Sequence, residues 1–97
     1  MIKSWNDYQK GVEVKTGAYG NEVTVCYNGL LAKSGADQVY LHYGTGDHWL
    51  DTNTQKMERT FRGWEKTIRT KDDKTIFCFK DSANNWDNNS GHNWIVR

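Results

Sequence analysis

Apolar and polar residues alternate with a period of two through much of this chain. In Glu22-Val23-Thr24-Val25-Cys26-Tyr27 the residues Val23, Val25 and Tyr27 share one face, and the run then meets Asn28-Gly29, a turn signal. Gln38-Val39-Tyr40-Leu41-His42-Tyr43 repeats the pattern, with Val39, Leu41 and Tyr43 inward and Tyr40 and His42 outward. Trp64 to Thr70 and Lys74 to Lys80 read as two further strands forming a hairpin through Lys71-Asp72-Asp73, with Phe77 and Phe79 inward. No window of helical length carries a convincing apolar stripe. Thr54 to Phe61 comes nearest, and Gly63 cuts it off. Proline is absent, so turns rely on Gly, Asn and Asp, as in Gly44-Thr45-Gly46-Asp47 and Asp81-Ser82-Ala83-Asn84-Asn85. Short strands separated by turn clusters predict an all-β sandwich or barrel.

Length and composition narrow this picture. Ninety-seven residues fit one domain, residues 1–97, in which 1–20 read as a linker remnant plus a first edge strand. The chain contains no apolar stretch of membrane-spanning length and no signal-type segment near its start. Its abrupt end after Asn93-Trp94-Ile95-Val96-Arg97 favours a module excised from a longer protein. The expected location is extracellular if that parent is a secreted bacterial enzyme, and cytoplasmic if the chain is complete. Thirteen basic residues nearly cancel twelve acidic ones, so no large field recruits nucleic acid or an anionic membrane. Affinity must come from a local site. Cys26 and Cys78 read as small half-buried hydrophobes; two such residues without a CxxC pair complete no structural zinc site, and their spacing leaves a disulfide open.

Five tryptophans are many for this length. Trp64, opening a strand with Ile68 in phase, and Trp94, in the terminal strand, read as core. Trp86 differs, because Asn84-Asn85-Trp86-Asp87-Asn88-Asn89 surrounds an indole with amides and one acid that would be costly to bury without partners. A flat apolar ring with a rim of amide donors and acceptors suits a polyol, whose rings have apolar C–H faces and peripheral hydroxyls. Some of these amides must also serve as turn formers. His42-Tyr43-Gly44-Thr45-Gly46-Asp47-His48-Trp49 runs from a strand into a Gly-rich loop, placing His42 and Trp49 at one rim of the sandwich. His48 and His92 read as solvated. Neither the His42, Asp47 and His48 group nor the oxygen ligands of Asp81, Asp87, Asn88 and Asn89 has a recognised metal spacing, so no metal and no cofactor is assigned.

Together, Val39-Tyr40-Leu41-His42-Tyr43-Gly44 with Trp49 downstream, the Gly63-Trp64 strand entry, and Phe77-Cys78-Phe79-Lys80-Asp81 leading into Asn85-Trp86-Asp87-Asn88-Asn89 resemble a starch-binding carbohydrate-binding module of family 25 or the related family 53. The likeness runs from about Asn21 to Val96. It implies an immunoglobulin-like antiparallel β-sandwich, no catalysis, and binding of α-1,4-glucan such as starch, glycogen or maltooligosaccharides by a monomeric module tethered to an amylase-like enzyme. It also implies a sugar platform of His42, Trp49 and Trp86 with the amides Asn88 and Asn89, while Trp94 stands where a Tyr is often seen. Two other classes compete. A small glycoside hydrolase would need a carboxylate pair, for which Asp47 and Asp87 are the candidates. A single-strand nucleic-acid binder would need cations around the rings, and the sequence neighbours of Trp49 and Trp86 are acids and amides instead.

Overall fold

The structure is a computed structural model and describes residues 4–17, 21–70 and 74–96. Among these, the chain forms β1 (Trp5–Asp7), β2 (Val12–Thr16), β3 (Glu22–Tyr27), α1 (Leu30–Lys33), β4 (Val39–Thr45), β5 (Leu50–Lys56), β6 (Glu58–Thr60), β7 (Gly63–Arg69), β8 (Thr75–Asp81), β9 (Trp86–Asp87) and β10 (Trp94–Val96). One sheet has the order β1-β2-β3-β7-β6. The other has the order β10-β8-β4-β5, with β9 also pairing to β8. Every pairing is antiparallel. If β2 to β5 are equated with strands A, B, C and C′ and β6, β7, β8 and β10 with D, E, F and G, these orders are ABED against GFCC′, the immunoglobulin-like sandwich.

Alternation explains the core. Val12, Val14, Val23, Val25 and Tyr27 point inward from the first sheet and meet Val39, Leu41, Phe77, Phe79, Trp94 and Val96 from the second. Tyr27 stacks on Phe79 with ring centroids 4.0 Å apart, and Trp94 lies 5.3 Å from Phe79 and 6.1 Å from Phe77. Trp64 and Trp94 are buried, as their strand phase predicts. Trp5 packs against the core from β1, stacked 6.2 Å from Phe77. Cys26 and Cys78 are free thiols. Each alternates out of phase with the inward residues of its own strand, so they face away from each other on opposite sides of the sandwich, beyond disulfide reach.

One local expectation is corrected. The strands containing Trp64 and Phe77 do not form a hairpin: β7 pairs with β3 and β6, whereas β8 pairs with β4, β9 and β10. An apolar face alternates identically whether the next strand lies beside it or across the core, so periodicity could not tell these cases apart. The expected turn Lys71-Asp72-Asp73 lies outside the described residues. Asn28-Gly29 follows the end of β3 and leads into α1, a single helical turn that buries Leu31.

Candidate functional site

The outer face of the second sheet carries the predicted rings. Outward alternation along β4 presents Tyr40 and His42, and the register pairs His42 with Thr54 of β5 and Cys78 of β8. One pair further along, Tyr40 stands opposite Lys80, which in turn stands opposite Trp86 of β9. Trp49 arrives from the β4–β5 connection. The register there shifts between Tyr43 and Thr45, a bulge that re-aims the following residues. A Cβ on Gly44 would meet the Trp49 backbone at 3.0 Å, so a side chain there would push the connection back by a few tenths of an ångström. Trp49 itself is held at φ 54°, a left-handed conformation that bulky residues rarely adopt. Such strain persists where surrounding structure enforces it, and here Gly46 N–H donates to Lys74 O at 3.0 Å while Asp47 ion-pairs with Lys74.

These elements bring three predicted residues together. The His42 ring lies 5.3 Å from Trp49 and 5.3 Å from Trp86. It is inclined 31° to the first indole and 84° to the second, so the two indoles are inclined to each other by at least the difference of these angles, about 53°. The platform is bent around the imidazole. It occupies a sheet face rather than the expected rim of the sandwich. Its floor is apolar, because Ile76 and Cys78 are buried although they alternate outward on β8. Burial, with a smaller contribution from the charge of Asp87, pushes the Cys78 thiol up to about 12.

His42 Nδ1 bonds Thr54 Oγ1 at 2.7 Å, which orients the ring. Burial, followed by the nearby charge of Lys80, holds its pKa below the ordinary histidine value. The imidazole is therefore neutral at pH 7. Lys80 sits over two rings, its Nζ 5.7 Å from the Trp86 centroid and 5.1 Å from that of Tyr40. This places one cation beside an indole whose sequence neighbours are amides and an acid. Cross-strand pairing brings it there, and outward alternation from Phe77 and Phe79 would have placed Lys80 on this face. Thr54 and Tyr40 are the other contributors that reading the loops alone left out.

The two amides separate. Asn88 is exposed, and its Oδ1 accepts Gly91 N–H at 3.0 Å. Asn89 Nδ2 donates to Asn93 O at 3.1 Å, tying the amide into its own loop, in which Asn89, Ser90 and Asn93 have positive φ. The carboxylates considered for hydrolysis are both engaged structurally. Asp47 pairs with Lys74, and Asp87 Oδ2 accepts the Tyr27 hydroxyl at 2.6 Å. The same Tyr27 oxygen accepts Leu31 N–H at 3.0 Å, so one buried phenol fastens both β9 and α1. Asp81 anchors the preceding turn, accepting Asn85 Nδ2 at 2.9 Å, Asn85 N–H at 2.8 Å and Ala83 N–H at 2.9 Å; these bonds, those from Asn85 first, lower its pKa. Among the described residues, no group of three or more His, Cys, Asp or Glu is placed to hold a metal ion.

With that geometry in place, comparison with known proteins gives two matches. The model of a starch/carbohydrate-binding module, family 53, matches residues 23–79, a span that holds His42 and Trp49 and stops short of Trp86. An α-amylase of Clostridium acetobutylicum is 37% identical over 80 residues, which cover 79% of this chain and 10% of the amylase. The chain thus corresponds to about a tenth of that relative's length. No solved structure matches it.

Proposed function

The chain belongs to family 53 of the starch/carbohydrate-binding modules, and from that premise we propose that it binds α-1,4-glucan without cleaving it and holds an attached amylase-like enzyme on its polysaccharide. The observation that carries this reading is the pair of inclined indoles on either side of His42. An α-1,4-linked chain coils, so successive glucose rings present their apolar faces at an angle to one another. A bent platform follows that coil, whereas a flat one suits an extended chain. Trp49 and Trp86 each take one ring face, and His42 Nε2 bonds a hydroxyl between them. Lys80 and the free side of the Asn88 amide complete the polar rim.

Burying about 100 Å² of apolar surface per stacked ring contributes roughly 2–3 kcal/mol, from which the cost of ordering the oligosaccharide is subtracted. The polar contacts set orientation more than affinity, because each replaces a hydrogen bond to water. A single site of this kind has a Kd of about 10 µM to 1 mM, and tethering supplies the remaining retention. Residues 1–97 act as one monomeric module in this reading. The structural engagement of Asp47 and Asp87 favours binding over hydrolysis. Affinity electrophoresis through amylopectin, glycogen, cellulose and xylan tests the proposal. Retardation in the first two gels alone is expected, and equal mobility in all four would overturn it.

A further inference from the structure

The line from Trp49 through His42 to Trp86 crosses the sheet from the β4 connection to β9, and the next element beyond β9 is α1. Between them lies a cavity of about 540 Å³. Leu30 and Trp86 border it, and Ser34, Asp37, Ser82 and Asn85 supply polar groups. Leu30 is 62% exposed and Trp86 48%, so this apolar pair belongs to no core. We propose that this crevice is an extension subsite, which takes the next glucosyl units of a chain already stacked on the platform.

Three observations carry the proposal, which rests on the α-glucan reading above. First, the crevice is preformed: the Tyr27 hydroxyl donates to Asp87, the residue next to Trp86 of one wall, and accepts from Leu31 of the other, so α1 and β9 keep a fixed separation. Little ordering cost remains for a ligand that enters it. Second, its chemistry repeats that of the platform. An apolar lip stands beside side chains that bond hydroxyls. Ser34 and Ser82 both donate and accept, the Asp37 carboxylate accepts, and the Asn85 carbonyl oxygen remains available because its Nδ2 is held by Asp81. Third, Trp86 belongs to both places, with its ring beside His42 and its side in the lining of the crevice. A glucan leaving the platform meets the crevice without a gap.

The subsite predicts dependence on chain length. The test is titration calorimetry with maltotriose and maltoheptaose on the wild-type chain, on Leu30→Ala, which removes the exposed lip, and on Ala83→Trp, which fills this cavity and not its neighbour on the other side of Trp86. Wild type should bind maltoheptaose about fivefold more tightly than maltotriose, beyond the gain from extra overlapping registers. Both variants should reduce that preference to about twofold or less while keeping maltotriose affinity within about twofold. A length preference unchanged in both variants, with wild-type circular dichroism, overturns the subsite alone. A wild type that binds neither oligosaccharide sinks the platform as well.

Discussion

The two outer faces of the sandwich obey the same alternation and present opposite chemistry. On the first sheet the outward positions include Glu13 and Lys15 on β2, Thr24 and Cys26 on β3, and Glu65 and Thr67 on β7, where Thr24 Oγ1 and Thr67 Oγ1 lie 2.7 Å apart. On the second sheet they are Tyr40, His42, Ile76, Cys78 and Lys80, with Trp49 and Trp86 beside them. The first face sets hydroxyls and charges around the buried Cys26 thiol, while the other has an apolar floor of Ile76 and Cys78 with rings and a few directional polar groups. Sandwich geometry does not dictate that difference, since either face could have remained polar. It is the difference on which the proposed binding site rests.

The sharpest way to break the comparison is to exchange tryptophans of opposite function. Trp64→Ala removes a buried ring from the first sheet and should cost about 3–5 kcal/mol in denaturant unfolding. Trp86→Ala should alter stability by less than about 1 kcal/mol and weaken glucan binding about 30- to 100-fold, corresponding to one lost stacking surface. If Trp86→Ala unfolds the chain, the ring belongs to the core and the contrast between the faces fails.

Gly44→Ala comes next in size. Its methyl group meets the Trp49 backbone, which has to retreat, so glycogen retention should fall about five- to tenfold while Trp86 remains in place. Unchanged retention would mean that Trp49 does not touch the ligand. A smaller effect concerns acid. The neutral form of His42 is the one favoured by folding, because burial and Lys80 hold its pKa below 6.5. The associated stability is present above pH about 6.5 and is lost as pH falls through the lower folded value. Binding should therefore be flat from pH 7 to 8 and decline by about two- to threefold in mild acid, and His42→Gln should remove the decline along with part of the affinity. The smallest effect serves as the control: Thr67→Ala on the opposite face should leave binding within about 1.5-fold, and a larger change would show that the first sheet also contributes.

Period-two patterning made the strand faces legible, which is why His42 could be placed outward and Phe77, Phe79, Trp64 and Trp94 inward from the sequence. Those assignments depend only on which side of its own strand a residue occupies. Partner choice depends on contacts far apart in the chain, and so the membership of β7 and β8 in different sheets escaped the local pattern. The same cause hid Lys80. It is separated from Tyr40 by forty positions and reaches it through register, whereas the sequence neighbours of Trp86 are amides and an acid. Composition did not say which of the clustered amides would be turn formers. Asn is equally suited to bonding a sugar and to holding left-handed backbone, and Asn89 is used in the second way.

Tyr27 has a consequence for anyone wishing to transplant this surface. Its ring is fully buried against Phe79, and its hydroxyl secures Asp87 and Leu31. Copying residues 86–93 onto another sandwich would carry the visible aromatic without its anchor, since that anchor is encoded some sixty positions earlier, on the opposite sheet. The smallest portable cassette therefore includes a tyrosine at the end of the third strand, the helical turn after it and the loop it grips, and a recipient scaffold with phenylalanine there would receive a loosely mounted ring.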